Sequence, residues 1–124
     1  MASAHHDTIR EAIFFTDELA RVGTPVTGLI INRLQPKFGK GSATSSTTAA
    51  RKAEQAGDTD LAALHSNLAH VRRIVQAEEA TLKPLLDSVG SAIVIRLYQR
   101  ATDVHDLAAI ADLGRDLVAS TPTR

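Results

Sequence analysis

Few residues in this chain have the type and spacing for chemistry, and Asn32 stands first among them. It follows the apolar run Val26 to Ile31 and precedes a loop. In open parallel sheets, ligands bind beyond the carboxyl ends of the strands. A side-chain amide both donates and accepts hydrogen bonds, which suits it to reading an adenine edge. The competing reading is that Asn32 ends the strand and opens a turn. Spacing alone leaves both open.

The other candidates are weaker. Gly39-Lys40-Gly41-Ser42 contains the Gly-Lys and a Ser as in a phosphate loop, but the required frame would place a glycine at Leu34. The stretch reads instead as a flexible basic loop. His5-His6-Asp7 could hold a metal only with a third ligand from elsewhere, and reads as solvated. His65 and His70 fall on different sides of a helix and read as surface residues. Asp103, His105 and Asp106 group two carboxylates around an imidazole, yet the same residues suit the start of a helix. Arg72-Arg73, Lys37 and Lys40 could meet phosphates; on a neutral chain they read as solvated charges. No G-x-S-x-G nucleophile elbow is present.

Composition narrows the classes further. Lys plus Arg equals Asp plus Glu at 14 each, so no overall field attracts nucleic acid or an anionic membrane. Aromatic residues make up 3%, too few for base-stacking platforms. There is no Cys, which removes disulfides, thiolate metal sites and Cys nucleophiles. No run approaches the roughly 18 apolar residues of a membrane span. MASAHHDTIR lacks the charged start and apolar stretch of a signal peptide. The expectation is a cytoplasmic protein with no integral membrane segment and no nucleic-acid partner.

The elements that would position Asn32 follow from periodicity. Residues 7–22 read as an amphipathic helix, capped by Asp7 or by a Thr8–Glu11 capping box and closed at Gly23. Val26 to Asn32 is rich in β-branched residues and does not alternate, as in a strand buried on both faces. Residues 33–46 read as a loop and 47–56 as a weak Ala-rich helix, so that 33–57 forms a flexible insertion. A long helix starts near Asp58 or Thr59 and carries Leu61, Leu64, Leu68, Val71, Val75, Leu82 and Leu85 at heptad spacing, interrupted at Glu78. Pro84 should kink or end it. Ala92 to Leu97 is a second strand candidate, and Asp103 would cap a last helix over 104–119.

Two strands of this kind cannot make a stable sheet in water. The chain, 1–124, therefore reads as one incomplete α/β domain with two short strands and three to four helices. Met1 to Ala4 leaves too little room for a preceding strand. The remaining strands are expected N-terminal to Met1, in a longer parent or in a partner chain.

The stretch REAIFFTDELARVGTPVTGLIINRLQP, Arg10 to Pro36, resembles the arsenite-pump-type (ArsA-like) anion-transporting ATPases. DVHDLAAIADLGRDL, Asp103 to Leu117, is similar to the last helix of bacterial members. The resemblance implies the C-terminal part of a deviant phosphate-loop ATPase with a parallel sheet. Its phosphate loop, K-G-G-x-G-K-[ST], and its switches would lie outside this sequence. Asn32 matches the adenine-contacting Asn of the family's N-R motif, with Arg33 beside it. Tyr98 and Gln99 fall where the family presents groups to the base after its last strand, although the Pro common there is absent.

The implied ligand is ATP, with Mg2+ held by the missing half. The implied partner is that half or a second copy of the chain. The parent family hydrolyses ATP; this chain alone would lack the catalytic half. Tail-anchored cargo is not expected, since Met1 is the only methionine, nor arsenite handling, since there is no Cys. The alternative is a free-standing α-helical interaction module that uses the Leu61 to Leu85 stripe.

Overall fold

The computed structural model describes residues 2–119. Over these residues it is an α/β protein, mostly helical, with four helices and a parallel sheet. In order, β1 is Ala2–Ser3, α1 His6–Arg21, β2 Gly28–Leu34, α2 Ala43–Gln55, α3 Thr59–Val89, β3 Ile93–Tyr98 and α4 Leu107–Ala119. Two compact units result. One takes in the chain up to Leu34 and from Ala80 onward; the other is Gln35–Glu79.

The first unit contains the sheet, in the order β1-β2-β3 with all neighbours parallel. Leu29 and Ile31 lie two residues apart on β2 and so share a face. With Leu34 they join Ile9 of α1 and Leu82, Leu85 and Val89 of α3 in the buried core. α1 turns Ile9, Ala12, Ile13 and Thr16 inward at helical spacing, and the Thr16 hydroxyl donates to Ala12 O at 2.8 Å. Gly23, at φ 80°, supplies the left-handed residue that ends the helix, and Thr24 N donates back to Leu19 O at 2.9 Å.

A strand before α1 is present after all: Ala2 pairs with Ile31 and Ser3 with Asn32. α1 starts without either expected side-chain cap; its N-cap is His5, which makes no capping bond. β2 runs to Leu34, so Asn32 is not its last residue. α3 continues through Pro84 to Val89. Pro84 is exposed, while Leu82 and Leu85 on either side are fully buried, and their burial holds the helix together across the missing N–H. α4 begins at Leu107, capped by Asp106 rather than Asp103: Ala109 N donates to Asp106 Oδ1 at 2.7 Å.

In the second unit, α2 starts at Ala43, four residues earlier than its Ala content suggests. Ser42 and Ser45 form a reciprocal capping box, with Ser45 N donating to Ser42 Oγ at 3.0 Å and Ser42 N to Ser45 Oγ at 3.1 Å. Thr47 and Thr48 bond back to Ala43 O and Thr44 O, at 3.0 and 3.1 Å. These two hydroxyls stay bonded within the helix, and it is the Ser42–Ser45 box that stabilises its start. Ser46, Ala50 and Ala53 of α2 and Ala69 of α3 are buried in this unit.

Candidate functional site

The carboxyl end of β2 departs from regular strand geometry. Ile31 registers with Arg96 and Leu34 with Tyr98, so β2 spends three steps where β3 spends two. Asn32 and Arg33 form a bulge opposite Leu97. Bulges re-aim side chains and are over-represented next to active sites. Arg33 adopts φ 59°, the one positive φ outside glycine among the described residues. This left-handed conformation is unfavourable for a residue with a Cβ by about 1–2 kcal/mol. Arg33 N donates to Asn32 Oδ1 at 2.8 Å, which fixes the amide against its neighbour's backbone.

The residues after β3 lie alongside. Gln99 N donates to Leu34 O at 2.7 Å, extending the ladder past Tyr98. Arg100 pairs with Asp116 of α4. Asn32 is half-buried, whereas Arg33, Tyr98 and Gln99 are exposed. The four residues singled out in the sequence thus converge at one end of the parallel sheet, the end at which such sheets bind ligands.

The Gly-Lys-Gly-Ser loop has a different job. Arg72 of α3 donates through its two terminal nitrogens to Phe38 O at 3.2 Å, Lys40 O at 2.9 Å, Ser42 O at 3.2 Å and Ser46 Oγ at 2.6 Å. The loop turns carbonyl oxygens inward around a cation. A phosphate loop does the reverse and turns N–H groups inward around an anion. Gly41, at φ 130°, is required by this wrap: a Cβ there would stand 2.9 Å from Arg72 Nη1. Arg72 is therefore not a solvated charge. Net charge does not reveal a guanidinium that a loop can enclose, and Gly39 and Gly41 are the trace that this wrap leaves in the sequence.

Glu78 and Glu79 hold the start of the same loop. Gln35 N donates to Glu78 Oε2 at 2.9 Å, and Lys37 Nζ lies 2.9 Å from Glu79 Oε1. The break in the heptad at Glu78 thus has a local purpose. A cavity of about 320 Å³ opens beside this loop, lined by Pro36, Phe38, Val71 and Val75 among others. Its nearby carbonyls are committed to Arg72.

His5, His6 and Asp7 are exposed around the start of α1, and Asp7 in the first turn favours the positive helix end. His70 and His105 are exposed and His65 is half-buried. Among the described residues no three His, Cys, Asp or Glu side chains come together in a metal-holding group. No helix formed by them is long and apolar enough to cross a membrane.

Fold and site define an α/β chain whose central parallel strand ends in a bulge carrying Asn32 and Arg33. No known protein-family model matches the chain, and no curated protein matches it.

Proposed function

We propose that this chain supplies the adenine-reading side of a nucleotide site in an ATPase related to the ArsA-like family, while groups outside it bind the phosphates and Mg2+. The observation that carries this reading is the bulge at the carboxyl end of β2, which puts Asn32 and Arg33 at the same end of the sheet as Tyr98 and Gln99. An amide whose oxygen accepts a backbone N–H and that lies at this end of a parallel sheet suits the donor–acceptor edge of adenine. The residues present fit the base and not the triphosphate. The one Gly-Lys loop encloses Arg72 with carbonyls, so no hydrolytic step is assigned to this chain.

Binding by the chain alone should be weak and indifferent to phosphate. Adenosine, AMP and ATP should bind with similar affinity, in the millimolar range where only a few contacts operate. Calorimetric titration of the three ligands tests this. A micromolar affinity for ATP with none for adenosine contradicts it.

A second reading is favoured by one observation. The heptad stripe of α3 divides: Leu82 and Leu85 are buried in the core of the first unit, but Leu61 and Leu64 are exposed, Leu64 at 66%. On this reading the Leu61 end of α3 docks a partner helix. Replacing both Leu61 and Leu64 by Gln would then abolish partner or self-association without unfolding the chain. Association unchanged by that double variant counts against it.

A further inference from the structure

The second unit buries only small side chains. Its buried residues are Ser46, Ala50, Ala53 and Ala69. α2 offers no apolar side chain larger than alanine, so the larger apolar groups around it stay partly open. Val71 and Val75 of α3 are half-buried, and Phe38 is 56% exposed. With Pro36 and Ala43 they form the apolar wall of the cavity of about 320 Å³. That volume falls at the lower end of the range for small-ligand pockets.

The polar part of the lining is short and of one sign. Arg72 and Gln76 are four residues apart on α3 and so are neighbours on its surface; Val71 and Val75 repeat the same step beside them. Lys37 is paired with Glu79. Arg72 gives its four terminal N–H bonds to Phe38 O, Lys40 O, Ser42 O and Ser46 Oγ, which leaves Nε–H as its remaining donor. All four acceptors are neutral. Among the described residues no carboxylate pairs with Arg72, so its charge is hydrogen-bonded but not neutralised. The Gln76 amide is exposed and makes no hydrogen bond among the described residues. The cavity thus combines a hydrocarbon wall with one positive charge and two N–H donors a helical turn apart.

We infer that this cavity binds a small apolar monocarboxylate. Its hydrocarbon part lies against Val71, Val75 and Phe38. One carboxylate oxygen accepts from Arg72 Nε–H and the other from the Gln76 amide, which neutralises Arg72. A carboxylate matches that single charge. A phosphate group carries nearly two at pH 7, and the second would be desolvated against apolar surface without a partner. A ligand of about ten heavy atoms in so open a site binds in the millimolar range or somewhat below it. This inference does not depend on the adenine reading, whose residues all lie in the first unit.

NMR titration of the full isotope-labelled chain with octanoate, up to about 10 mM, tests it. Saturating shifts are expected at Phe38, Gly39, Gly41, Val71, Val75 and Gln76, with a dissociation constant of about 1 mM or below. Octanamide, neutral and of the same length, should bind about tenfold more weakly or worse. Gln76→Glu, at an exposed position, should weaken octanoate by about tenfold or more, because it replaces a donor by a like charge. Val75→Phe should fill the cavity and abolish binding, with an unchanged far-UV spectrum. A wild-type chain that shows no saturation overturns the site. Octanamide binding as tightly as octanoate, or octanoate binding unaffected by Gln76→Glu, overturns it equally. Shifts centred on Asn32, Tyr98 and Gln99 instead would also overturn it, and would leave the adenine reading to be judged by its own titration.

Discussion

Asn32 Oδ1 accepts the backbone N–H of Arg33 at 2.8 Å, tying the amide to the one non-glycine residue in the left-handed region among those described. Strain of this kind persists where surrounding structure over-determines it, and it clusters at binding sites. Here the register of β2 on β3 does so: Ile31 and Leu34 are both buried, and the chain between them must bulge.

Arg33→Gly should relieve the left-handed strain and leave stability unchanged or higher by up to about 1 kcal/mol, since part of the gain is offset by a more flexible unfolded chain. Arg33→Val should destabilise by about 1–2 kcal/mol, because a β-branched residue is poorly accommodated there. Urea denaturation of the two variants checks the sign. A stable Val variant contradicts the backbone geometry.

Arg72→Ala should destabilise the second unit by about 2–3 kcal/mol, since it strips a donor from carbonyls of Phe38, Lys40 and Ser42. Arg72→Lys should rescue little, because an ammonium cannot reproduce the planar fork. Amide hydrogen exchange of residues 35–55 reads the effect locally. Equal protection in the wild type and the Ala variant would count against the clamp.

Pro84→Ala should stabilise the chain by about 1–3 kcal/mol. Pro84 is exposed inside α3 and lacks the N–H that would bond one turn back. Thermal melting measures the gain. A loss of stability would mean that the proline sets a bend on which the packing of Leu82 and Leu85 depends.

Leu82→Ala, at a fully buried position between α3 and the sheet, should cost about 2–5 kcal/mol. Leu64→Ala, at an exposed position of the same heptad, should cost less than about 1 kcal/mol. Chemical denaturation of the pair tests whether the two ends of the stripe differ as the structure shows.

The helical periods of α1 and α3 and the apolar runs of β2 and β3 were legible because each carries enough side chains to fix a face. β1 was not, since two residues have no period; its pairing depends on β2 being already in place. The start of α2 was hidden because Ser and Thr lower helix propensity unless a hydroxyl caps the first turn, as Ser42 and Ser45 do. The bulge left one trace: Leu29 and Ile31 are two apart, but the next buried residue, Leu34, is three further on. That break in a period of two marks where β2 turns Asn32 and Arg33 out of register. Arg72 left almost none, because its partners are backbone carbonyls that sequence does not display.

The proposed reading of an adenine base by Asn32 can be followed at the residue itself. The most direct test is an NMR titration of the isotope-labelled chain with adenosine and with guanosine, following the Asn32 side-chain amide and the backbone of Arg33, Tyr98 and Gln99. Saturating shifts are expected at these residues with adenosine in the millimolar range, lost in Asn32→Ala, and smaller ones with guanosine. Shifts absent from all four residues, or identical for the two nucleosides, would contradict it.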